Sequence, residues 1–311
     1  MQLLLFLGMA FGILMVFFMI GGLILTQITG INLMELSNSA NWKPGDPNMK
    51  VALRGMILLQ FLGLFLIPSL LFGYFSDPQP GGYLGLRKPT HAVYWFFGIA
   101  ALLVSIPLVE YTGILNRQLP VGQSTYQSIQ RMEEDAARTI QYMLGGNSFS
   151  NLILNLIFIA VFAGVGEELF FRGVLQRLLI KTFKSPWVGI IIAAFAFSFF
   201  HFQFFGFLPR FLLGVLLGAV YWYSGSLWPA ILAHFTYDAL FIIVAYNNPA
   251  LIEKPDASLF QNTGSLALLA AGSAAVTALV VYGMKRYSIA SYEKVYKDDN
   301  PPITTENDLS L

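Results

Sequence analysis

The chain has 311 residues, of which 56% are hydrophobic and only 11% charged, and its formal net charge is +1. Mean hydropathy is +0.64. Soluble domains carry about 25% charged residues, so this composition argues against a soluble enzyme, a disordered chain or a secreted disulfide scaffold. The near-neutral balance gives no footprint of nucleic-acid binding.

A span needs about 20 mostly apolar residues to cross a hydrocarbon core roughly 30 Å thick. The first charge is Glu35. Residues 3 to 26 form one apolar stretch with no basic start and no small-residue cleavage site, which predicts an anchoring helix rather than a removed signal. Residues 36 to 50 are rich in Asn, Pro and Gly and read as a loop. Further spans are predicted over about 55–75 and 92–109, with a second such loop at 76–90 between them.

Residues 124 to 145 place Ile129, Met132, Ala136, Ile140 and Met143 on one helical stripe, with Arg131, Glu133, Glu134 and Arg138 off it. That pattern predicts an amphipathic helix, either on the membrane surface or as a solvated connection. A fourth span starts near Phe149, and its pattern continues through Glu167 and Glu168 toward Lys181. The next covers about 187–205. Ser224-Gly225-Ser226 and Pro229 then divide an uncharged run into spans at about 207–223 and 227–246. The last runs from about 264 to 284, and the polar tail from Tyr287 to Leu311 reads as disordered.

These elements predict an all-α polytopic membrane protein with about eight transmembrane helices. Lipid admits no unpaired backbone, and the short alternating segments of a β-barrel are absent. Three regions follow: N-terminal spans in 1–148, a core in 149–246, and a last span with the tail in 247–311. Eight spans put both termini on one side. Arg87, Lys88, Lys181, Lys184, Lys285, Arg286, Lys294 and Lys297 would lie with them, against Lys43, Lys50, Arg117, Arg131, Arg138 and Lys254 opposite. The bias favours cytoplasmic termini in a bacterial cytoplasmic membrane. Gly214 and Gly218 form a GxxxG face suited to close packing within the chain.

Charges inside a span are costly, and by default they mark function. Glu167, Glu168, Arg172 and Asp238 fall in the core with His201 and His234. Glu168 and Arg172 are four apart and can pair, whereas Glu167 points about 100° away without a partner on its helix. His234 and Asp238 are also four apart and share a face. Helices meeting at the 181–186 turn bring Glu167, Glu168 and His201 to about the same depth, while His234 reads as shallower. So many ionisable groups together exceed what packing requires. No nucleophile elbow, HExxH or P-loop is present.

Two chemistries stand open. In one, Glu167, helped by His201, takes a proton from water, and His234 with Asp238 stabilises the oxyanion. In the other, Glu167, His201, His234 and Asp238 hold a divalent metal, zinc by donor type, with a position left for water.

The same residues resemble a known family. Gly166-Glu167-Glu168-Leu169-Phe170-Phe171-Arg172 is similar to the EExxxR motif of the CPBP family, which includes the type II CAAX prenyl endopeptidases and the bacterial Abi proteins. Phe197 to His201 resembles its FxxxH motif, and His234 to Asp238 its HxxxN/D motif in the Asp form. The resemblance covers about residues 150–246. It implies an intramembrane endopeptidase in which Glu167 and His201 activate water, and His234 and position 238 serve the oxyanion or a metal. Glu168 and Arg172 complete the first motif.

An Asp at 238 is a poor oxyanion donor when ionised, which points it toward metal ligation or toward orienting His234. The implied substrate is a peptide or membrane protein, including prenylated ones, met in the bilayer. A bacteriocin-immunity or scaffold protein and a proton-coupled transporter are the competing expectations. The sequence names neither the cleavage site nor the oligomeric state.

Overall fold

The computed structural model describes residues 1–36, 39, 42–43, 45–146, 148–249 and 263–296. These residues are helical, with no strand among them. The principal helices are α1 (Gln2–Thr29), α2 (Pro47–Ser76), α3 (Val93–Val104), α4 (Ile106–Arg117), α5 (Gln123–Leu144), α6 (Phe149–Phe183), α7 (Pro186–Phe199), α8 (Phe207–Ser224), α9 (Trp228–Asn247), α10 (Gly264–Tyr287) and the short α11 (Tyr292–Tyr296). The protein is an all-α integral membrane protein.

Length and composition alone do not reach the eight expected spans among the described residues. Among the described residues six helices are long and apolar enough to cross a membrane, or seven if α3 and α4 form one bent span. That pair bends by 41° at Ser105, just before Pro107, where a proline has no N–H for the helical ladder and crowds the preceding turn. α7 has 14 residues, about 21 Å of helix, instead of the predicted 187–205. It stops because the chain turns at Phe200, and Phe202 adopts the left-handed region at φ 53°.

Neighbouring contacts fix the directions. α1 runs antiparallel to α2, with Phe17 and Leu14 against Gly63 and Phe6 against Phe72. α2 runs parallel to α6, because Arg54 meets Asn151, Phe61 stacks on Phe162, and Phe65 meets Phe170. The start of α1 reaches the last turns of α6. There Arg177 lies over the Tyr83 ring, and Tyr296 of α11 donates a hydrogen bond to the Arg177 carbonyl at 3.0 Å. The beginning of α1 and helix α11 therefore share one end of the bundle. Lys254 and Lys297, both used in the charge count, lie outside the described residues.

Two other expectations change. The tail does not run irregularly from Tyr287, because Tyr292 and Tyr296 pack together and Tyr296 is buried, folding α11 onto α6. Residues 297–311 of that predicted disordered tail lie outside the described residues. α5 forms as predicted, but its C-terminal end is anchored. Met143 joins a buried cluster with Ile31, Met49, Ala52 and Leu53.

The GxxxG face of α8 packs within the chain. A Cβ on Gly214 would stand 3.0 Å from the Ala194 side chain of α7, and one on Gly218 would stand 2.6 Å from the Gln176 side chain of α6. Without side chains in the way, Arg172 donates to the Gly214 carbonyl at 3.2 Å and Gln176 to the Gly218 carbonyl at 3.1 Å. Two polar residues of α6, one turn apart, thus use backbone acceptors that larger residues would cover.

Gly98 shows a harder limit. Its added Cβ would fall 2.8 Å from the Pro229 carbonyl oxygen, backbone that cannot swing aside. Gly98→Val is expected to destabilise the fold by about 1–3 kcal/mol, as overpacking does. Gly12→Ala, with open space around it, should leave the thermal midpoint in detergent unchanged. Equal midpoints for the two variants would contradict the close α3–α9 contact.

Candidate active site

Over Ala163–Gln176, α6 widens into a π-helix carrying both glutamates. Similar widened turns occur over Phe17–Gly21, Phe61–Leu66 and Leu156–Val161, so it is the side chains on this stretch that single it out. Glu168 and Arg172 turn inward and are 0% and 1% exposed. Arg172 Nη1 donates to Glu168 Oε1 at 2.7 Å. The Arg172 guanidinium also lies 4.5 Å from the Phe197 ring centroid. The same Glu168 oxygen accepts from His234 Nδ1 at 2.8 Å. One buried carboxylate therefore ties α6 to α9, and through Arg172 to α7 and α8.

A cavity of about 360 Å³ opens beside this knot, lined by Glu167, His201, His234 and Asp238. Its volume falls in the range that holds small ligands. Aromatic and aliphatic side chains form most of the wall, including Phe61, Phe65, Phe158 and Phe162. Glu167 Oε2 is buried with no hydrogen-bond partner among the described residues. Glu168 Oε2 is likewise without a hydrogen-bond partner among them, but Glu168 Oε1 takes both the Arg172 and the His234 bonds, so Glu168 is the paired carboxylate that the sequence spacing predicts.

His201 sits just past the end of α7, and its Nδ1 lies 2.7 Å from the Phe197 carbonyl. A carbonyl only accepts, so Nδ1 carries the proton and Nε2 presents a lone pair. His234 has a carboxylate at each ring nitrogen, Glu168 on Nδ1 and Asp238 Oδ2 at 3.5 Å from Nε2. His234 is not shallower than the others, as the residue count suggested. The direct bond to Glu168 on α6 brings it level.

Residues 149–240 match the family model described as type II CAAX prenyl endopeptidase Rce1-like. The segment is similar to a CAAX-protease domain over about a third of the chain. No curated protein and no solved structure matches the chain. The matched segment contains all six candidate residues, and the family is a protease family set in a membrane.

The matched segment brings four of the six candidates to the cavity and keeps Glu168 and Arg172 behind its wall. Arg210 and Tyr237 also line the cavity, and the sequence reading passed over both. Arg210 was legible as the lone charge between His201 and Asp238. Nor are membrane-depth charges confined to 148–246, since Arg54 and Glu110 lie within α2 and α4.

The donor set does not assemble a metal centre. Among the described residues no group of three or more His, Asp or Glu side chains is placed to hold an ion. His234 turns both nitrogens to carboxylates, and His201 commits Nδ1 to a carbonyl.

Proposed function

We propose that the chain is a membrane-embedded endopeptidase that hydrolyses a peptide bond with a water molecule activated by Glu167. The observation that carries this reading is the unpaired, buried carboxylate oxygen of Glu167 in a cavity shared with the His201 lone pair. Residues 149–246 form the catalytic core, and α2, α3 and α5 before it complete the cavity wall.

Glu167 takes a proton from water while His201 Nε2 accepts from the same water and orients it. The hydroxyl oxygen bonds to the scissile carbonyl carbon. A carboxylate only accepts, so each of its two carboxylate neighbours favours an N–H on His234, and Nε2–H donates to the developing oxyanion. Asp238 orients that ring, the role left to it by its poor donor chemistry. As the C–N bond breaks, Glu167 returns its proton to the leaving amine. Glu168 and Arg172 act as positioning residues through His234 and Phe197.

The substrate is a peptide segment of a membrane protein, and the aromatic wall suits an attached prenyl chain. The decisive assay is cleavage of prenylated and unprenylated C-terminal peptides by purified protein in detergent. His201→Ala is expected to lower kcat by about 10²-fold or more, the usual contribution of a positioned acid–base group. Wild-type cleavage is expected to survive chelation. Full activity in His201→Ala, or a proteoliposome flux that depends on Glu167 without any cleavage, would point to an immunity, scaffold or transport protein instead.

A further inference from the structure

We propose that Glu133 of α5 is a positioning residue of the site: it holds the turn that presents His201, so the seat of α5 over the cavity sets the seat of His201. Its kinetic consequence rests on the endopeptidase reading, but the tie itself does not.

His201 belongs to neither α7 nor α8. It lies in the 200–206 turn, where Phe202 occupies the left-handed region at φ 53°. A non-glycine residue there persists only when its surroundings enforce it. The enforcing contacts come from outside the turn. Glu133 Oε1 accepts from the Phe205 N–H at 2.8 Å. Asn116 of α4 donates to the Phe204 carbonyl at 2.5 Å and accepts from the Leu208 N–H at 3.1 Å. The Tyr126 ring packs 5.5 Å from Phe205, and Arg117 stands over the same ring.

α5 is also fixed to the helix that carries Glu167. Asn155 of α6 donates to the Met143 carbonyl at 2.9 Å, Asn151 donates to the Gly145 carbonyl at 3.1 Å, and Lys50 donates to that same carbonyl. Between these ties, Thr139, Ile140 and Met143 face the cavity. Glu133 and Ile140 are seven residues apart, two turns along one face, so Glu133 stands on the apolar stripe of α5 and not off it as the sequence pattern suggested. α5 therefore bridges the start of α6 and the His201 turn while covering the space between them. Arg210 on the cavity wall lies within electrostatic reach of both Glu133 and Glu167.

The test compares Glu133→Ala, Glu133→Gln and, as control, Glu134→Ala on the neighbouring exposed position. Amide hydrogen exchange of full-length protein in detergent is read for the 200–208 peptide. Cleavage of a prenylated C-terminal peptide is read as kcat and KM. Losing a hydrogen bond to a charged group corresponds to about a ten- to hundredfold change. Glu133→Ala should therefore speed exchange at 203–206 by that factor and lower kcat with KM kept. Glu133→Gln, which retains an acceptor oxygen, should recover most of both, and Glu134→Ala should change neither. Unchanged exchange in Glu133→Ala overturns the tie, and faster exchange with unchanged kcat overturns the coupling to the site. If the wild type cleaves nothing, the endopeptidase reading fails while the exchange result still decides the tie.

Discussion

Glu167→Gln is expected to lower peptide cleavage by about 10²–10⁴-fold, the span that general-base catalysis supplies, with the folded protein intact. Glutamine keeps the shape and removes the basicity. Glu167 Oε2 has no hydrogen-bond partner to orphan among the described residues, and Arg210, the cation within its reach, keeps Glu133 as a second opposite charge. Burying a charge at membrane depth costs a few kcal/mol, so the variant should melt at or slightly above the wild-type midpoint. That pairing of lost activity with retained stability is the signature of a group held for chemistry. Retained cleavage in a well-folded Glu167→Gln would remove this residue from the mechanism. A variant that failed to fold would make Glu167 a structural charge.

Arg172→Met is expected to show the opposite pattern. Arg172 is 1% exposed and bonds Glu168, itself fully buried. Removing one partner of a buried pair leaves the other charge without compensation and costs about 3–5 kcal/mol. The substitution also gives up the bond to the Gly214 carbonyl and the contact with Phe197. The double variant Glu168→Gln with Arg172→Met should regain part of that loss, because no bare charge remains. Thermal unfolding in detergent gives the cycle, and strictly additive single effects would show that the two side chains do not act as a unit.

Much of this was legible in the chain because membrane depth makes charge conspicuous. The four-residue spacings of Glu168 with Arg172 and of His234 with Asp238 appear as contacts at 2.7 and 3.5 Å. The link between them, Glu168 to His234, joins residues 66 positions apart, and no periodicity encodes it. Counting rise per residue misplaced His234, because a count along one helix carries no information on how that helix sits against α6. The α7 span was also drawn too long, because the chain turns before the hydrophobicity ends: apolar side chains follow Phe199 through a loop that is not helical. The tail was misread for the reverse reason. Its polar composition outweighed two tyrosines that pack on α6. Arg210 was missed because it sits at a helix start, where a charge looks ordinary until the cavity is seen.

The beginning of α1 and helix α11 gather near the last turns of α6. The cavity draws on the middle turns of α2, α6, α8 and α9, beneath α5. It lies away from the bundle end where α1 begins and α11 packs on α6. On the endopeptidase reading, a reporter fused beside α11 would leave the cavity and its cleavage unobstructed.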